Sequence, residues 1–174
     1  MGRFISEDPI RFAAGVNFYA YVLNSPVLLV DPFGFCPAGT HVATPTEVAR
    51  LLSAAKDIVS EGLSYKDIKC NQFVARSINR TFDGALSQEY NTYQIRSGQG
   101  PFEKADSPAA GGLAVLKRPG HAVLVTQVRD GRVSQFVGSQ TSTGPAYVNL
   151  PDFYWKGRFA EHGNAQYYKT CLPN

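Results

Sequence analysis

Three cysteines and three histidines are the side chains of this 174-residue sequence best suited to nucleophilic or metal chemistry. No Cys-x-x-Cys pair or His/Cys cluster has zinc-ligand spacing, so neither a metal nor another cofactor is expected. Cys70 stands out because it falls where a helix is expected to begin. Unpaired backbone N–H groups and the helix dipole favour negative charge there, and the thiolate is the nucleophile. His121 follows Pro119-Gly120 and opens a β-rich run, a place from which an imidazole can project at a sheet edge. With the imidazole about 3–4 Å from the sulfur, such a pair performs covalent acyl transfer. Each residue also has a plainer use: a buried cysteine is a small hydrophobe, and a strand-end histidine can bond backbone. His41 and His162 sit in polar, turn-like stretches and read as surface residues.

The elements that must position this pair are legible in outline. Thr44-Pro45-Thr46-Glu47 predicts a helix start, with Thr44 as cap, Pro45 in the first turn and Glu47 completing a capping box. Val48, Leu51, Leu52, Ala55 and Val59 continue at helical spacing, and Gly62 is the expected stop. A second helix should run from Cys70 through Phe73, Val74 and Ile78 to Phe82, closed by Asp83-Gly84. Residues 84–111, rich in Gly, Ser, Gln and Pro, read as loop. Strands are expected at 113–117 and 121–129, then through an Asp130-Gly131 hairpin turn at 132–137, and again at 147–150 and 166–170. Helices first and an antiparallel sheet afterwards predict an α+β fold.

The first 35 residues have a different character. Seven are aromatic, Asp8-Pro9 and Asp31-Pro32 mark turns, and 18–23 and 27–30 look like short strands. Two strands cannot close a core in water, so this segment expects a larger sheet. Its text, Gly2-Arg3-Phe4-Ile5-Ser6-Glu7-Asp8-Pro9-Ile10, Asn17-Phe18-Tyr19-Ala20-Tyr21-Val22 and Asp31-Pro32-Phe33-Gly34-Phe35, resembles the end of an Rhs-repeat core. That resemblance implies a β-shell around a variable C-terminal toxin. It also implies self-cleavage at Phe35–Cys36 with Asp31 contributing, although the family usually has Leu where Phe35 stands. The expected organisation is an Rhs end over 1–35 and a toxin domain over 36–174.

Within 36–174 an ordered set of motifs resembles the NlpC-type cysteine peptidases, cell-wall hydrolases with a reduced papain-like fold. The set is Tyr65, Lys69-Cys70-Asn71-Gln72-Phe73-Val74, Gly120-His121-Ala122-Val123-Leu124-Val125 and Tyr154-Trp155-Lys156-Gly157-Arg158-Phe159. The resemblance implies Cys70 as nucleophile and His121 as acid and base. Tyr65 and Asn71 would lie at the oxyanion and substrate, and Trp155 would be a core or groove-wall aromatic. The family commonly reads Asp-Cys-Ser where this chain has Lys69-Cys70-Asn71. Its third catalytic position falls near Gly138, which has no side chain, so Ser139 or Gln140 must substitute unless a backbone carbonyl or a water does. Gln140 is favoured, because its amide oxygen can accept a ring N–H. The implied substrate is an amide bond in the peptidoglycan stem peptide, the implied partners a cognate immunity protein, the Rhs shell and a secretion apparatus. Deamidation, transglutamination or acyl transfer on a cytosolic protein or lipid would use the same acyl-enzyme step. A third reading is a non-catalytic adhesion or structural tip.

Charge and composition narrow the field further. The formal charge of +3 divides as −1 over residues 1–35 and +4 over the rest, and only Lys117-Arg118 places two cations side by side. Basic residues so scattered argue against a nucleic-acid binder. No run of about 18 apolar residues is present, so insertion into a membrane as a helix is not expected. The N-terminus lacks a secretory-signal core, so action outside the cytoplasm would need another carrier. The Rhs and NlpC-type resemblances imply export by a signal-independent route and action in a target periplasm. There Cys36 and Cys171, at the two ends of the toxin domain, either form a disulfide or remain independent thiols.

Overall fold

The computed structural model describes residues 36–37, 39–150 and 152–174. The strands expected at 18–23 and 27–30, and Asp31 and Phe35 of the cleavage motif, lie outside the described residues. The chain forms β1 (Thr40–Val42), α1 (Pro45–Ser60), α2 (Cys70–Thr81), α3 (Thr92–Arg96), β2 (Phe102–Ala105) and β3 (Leu113–Leu116). It continues as β4 (His121–Arg129), β5 (Arg132–Gln140), β6 (Gly144–Asn149), α4 (Phe153–Ala160) and β7 (Ala165–Pro173).

Helix α1 starts as its sequence dictates. Glu47 accepts from the Thr44 N–H at 2.8 Å, and the Thr44 hydroxyl accepts from the Glu47 N–H at 3.4 Å. It buries Leu51, Ala54, Ala55 and Ile58, a stripe turned slightly from the expected one, with Val59 only partly covered. Gly62, at φ +67°, follows the helix end.

All strand pairings are antiparallel, in the order β1-β7-β3-β4-β5-β6, and β2 also pairs with β7. The β4–β5 hairpin turns on Asp130 and Gly131, at φ +50° and +71°, with Arg129 opposite Arg132. Two positive φ values in a two-residue loop match the twist of the flanking strands.

Strand alternation sorts the core onto two faces. Leu113, Val115, Ala122, Leu124 and Val137 meet Leu51, Ile58, Phe73, Val74 and Ile78 of α1 and α2. On the other face Ala114, Val123, Val125, Val133 and Phe136 are covered by Trp155 and Phe159 of α4. The fold is α+β, an antiparallel sheet with helices on both faces.

The stretch 84–111, expected to be loop, contains α3 and β2. Helix α4 and strand β1 were not foreseen. Helix α3 has only five residues, and what defines it is a capping box between Asn91 and Gln94 rather than an apolar period. Helix α4 is started by Asp152, whose carboxylate accepts from the N–H groups of Tyr154 and Trp155.

Cys36 and Cys171 are joined by a disulfide that ties the first described residue to β7, and Cys70 is the free cysteine among the described residues. No helix of the described residues is long and apolar enough to cross a membrane.

Candidate active site

Cys70 is the first residue of α2 and is 6% exposed. The N-cap is Lys69, whose ammonium has no acceptor to offer, and the Gln72 side chain instead takes the Lys69 N–H at 3.0 Å. The first N–H groups of α2 therefore receive no bond from a cap side chain. They remain donors beside the sulfur, where an oxyanion would develop. Asn71 follows in the same turn and is half-buried.

Residues 63–68 lead into this helix and are pinned to the end of the sheet. Ser139 donates its hydroxyl to the Ile68 carbonyl at 2.5 Å. A Cβ on Gly144, at φ +74°, would run into the Leu63 carbonyl, so only glycine lets the loop come this close. The loop presents Tyr65 to the cysteine. Burial, then the charge and the hydrogen-bonding demand of Cys70, push the tyrosine hydroxyl above its usual pKa.

His121, 4% exposed, opens β4. Alternation sends its ring to the face of Val123 and Val125, where it stacks on Trp155 with ring centroids 5.0 Å apart and planes at 22°. The β4–β5 register, continued from Leu124 opposite Val137, places Gln140 across from His121. Burial pushes the imidazole pKa down to about 4, and the Gln140 hydrogen bond opposes that shift by favouring the protonated ring. That bond falls short of good geometry: His121 Nε2 and Gln140 Oε1 are both buried without a well-aligned partner. The Gln140 amide N–H donates instead to the Gly138 carbonyl at 3.2 Å. Gly138 itself has no room for a side chain, since a Cβ would come within 2.9 Å of Val123 Cγ1.

The structure thus forms two groups, Cys70 with Tyr65 and His121 with Gln140 and Trp155. They lie at the same end of the sheet, linked through Ile68, Ser139 and Gln140, but approach it from opposite faces. No hydrogen bond joins Cys70 to His121 among the described residues.

One contributor escaped sequence reasoning. Asn164, 3% exposed, accepts from the Arg118 N–H at 2.8 Å and donates to the Arg118 carbonyl at 3.0 Å, fixing the turn that leads to His121. A lone Asn after Gly163 carries no signal of this role, because the contact spans 46 residues.

No protein-family model matches the chain. Over 33 residues, 19% of its length, it is 52% identical to Toxin protein Tse5 of Pseudomonas aeruginosa. It is 38% identical over 68 residues to the putative uncharacterized protein YlbH of Escherichia coli, and 56% identical over 34 residues to YibJ of the same organism. These matches span only 2%, 27% and 14% of the three relatives' own lengths.

Proposed function

We propose that the chain is the toxin end of an Rhs-type effector, and that residues 36–174 form a papain-like, NlpC-type cysteine hydrolase that cuts amide bonds in peptidoglycan stem peptides. The toxin assignment is supported by the short match to Tse5 and by the Rhs-like text of residues 2–35. The hydrolase assignment rests above all on one observation. The free cysteine opens a helix whose N–H groups its own cap cannot occupy, and Tyr65 lies close enough for the sulfur to raise its hydroxyl pKa.

In this reading His121, neutral at pH 7 because burial holds its pKa near 4, accepts the Cys70 thiol proton. The sulfur bonds to the amide carbonyl carbon, and the α2 N–H groups and Tyr65 receive the oxyanion. The carbon–nitrogen bond breaks as His121 returns the proton to the leaving amine. Water, deprotonated by the same ring, then splits the thioester and restores the thiol. The structure holds the two side chains, both buried, on opposite faces of the sheet end, so transfer of the thiol proton requires a rearrangement there that uncovers them and carries the ring to the sulfur. The protein would act in a target periplasm after export with its shell, held inactive in the producer by an immunity protein over the Cys70 region.

The test is a turbidity assay on purified sacculi with fragment masses, using wild type, Cys70→Ala and His121→Ala. Lysis by wild type and a loss of at least 100-fold in both variants is expected. Intact sacculi, with toxicity still dependent on Cys70, would move the target to a cytosolic protein or lipid. Full toxicity in both variants would leave a non-catalytic tip.

A further inference from the structure

A cleft of about 920 Å³ opens between the turn entering β4 and helix α4, lined by Arg118, Pro119, Tyr154, Lys156, Arg158 and Glu161. Three cations thus face one carboxylate. Among the described residues none of the three is in an ion pair. Arg118 and Lys156 are exposed, and the Arg158 guanidinium lies 3.6 Å over the Tyr154 ring centroid while donating to the Tyr154 carbonyl at 2.9 Å.

Both walls are held by a single buried side chain. The Asn164 amide bonds the Arg118 N–H and carbonyl, and its Nδ2 also donates to the Arg158 carbonyl at 2.9 Å. The backbone spacing of the two walls is fixed before anything binds, which lowers the ordering cost of binding an anion. Guanidinium and ammonium groups suit carboxylates, and the half-exposed Tyr154 ring offers an apolar face to a peptide stem. Helix α4 supplies both a wall of the cleft and, through Trp155, the ring on which His121 stacks.

We propose that this cleft binds the carboxylates of an acidic peptide and so selects anionic substrates for the proposed hydrolase. The proposal rests on the hydrolase reading for its purpose but not for its test. The full chain carrying Cys70→Ser is titrated by calorimetry with an Ala-Glu-Glu-Ala peptide and with its uncharged Ala-Gln-Gln-Ala counterpart. At low salt the acidic peptide should bind at least 10-fold more tightly. Adding Arg118→Gln and Lys156→Gln, both at exposed positions, should abolish that preference without changing the melting temperature.

Equal binding of the two peptides, or an unchanged preference in the Gln variants, overturns the proposal. So does tighter binding of a short oligonucleotide than of the acidic peptide. Charge-dependent binding of the acidic peptide without hydrolysis of sacculi by the wild type would sustain the cleft and remove the hydrolase reading alone.

Discussion

A histidine that stacks on an indole and is almost sealed from water pays for that position when it must take a proton. The His121 pKa is pushed down to about 4 from an ordinary 6.5, chiefly by burial. The unfolded chain therefore binds the proton first as pH falls. Stability from this group is complete above pH 6.5, declines through the window from 6.5 to about 4, and levels off below. The size is about 3 kcal/mol, from 1.36 kcal/mol per unit. Urea unfolding at pH 7.5 and 4.5 measures it, and His121→Gln should flatten most of the difference. If the slope survives that substitution, the burial described for the ring is wrong.

At the scale of elements, the approach of the 63–68 loop to β6 sets where Tyr65 and Cys70 lie. Gly144 combines a positive φ with backbone in the path of any Cβ. Gly144→Ala should cost at least about 2 kcal/mol. It should also loosen the loop, read as faster alkylation of Cys70 by iodoacetamide.

What the sequence disclosed about these elements was local chemistry. The Thr44/Glu47 box, the Asp130-Gly131 turn and the apolar run from His121 each declare themselves within a few residues, and α1, β4 and the hairpin formed there. Helix α2 begins at Cys70 as its spacing predicts. Helix α3 left a signal, Asn91 three residues before Gln94, in a stretch whose Gly and Ser content suggested only loop. Strand β6 begins at Gly144-Pro145, which reads as a breaker in sequence and becomes strand because β5 supplies the partner. The site was least legible. Which face of β4 carries His121, and that Asn164 braces its turn, depend on contacts between distant residues that no local pattern records.

For the molecule as a whole, the Cys36–Cys171 bridge closes a loop of 135 residues in sequence separation. In the chain-entropy model such a crosslink contributes about 3–5 kcal/mol. Cys36→Ser should lower stability by that amount in non-reducing urea titrations, and dithiothreitol should bring the wild type down to the variant's value. A thiol count on the unreduced chain should find Cys70 alone. Two further free thiols would show that the bridge does not form in solution.

Strand β7 is the common neighbour of β1, β2 and β3, yet it follows all of them in the chain. A ribosome that has delivered everything up to Asn164 has made β1 and β2 without a partner strand and β3 with only one of its two. Their pairing waits on residues 165–173, which makes the topology non-local and folding correspondingly slow. A nascent or C-terminally clipped copy would lack the strand that joins β1 and β2 to the rest of the sheet, so the fold is completed only after translation has passed residue 173.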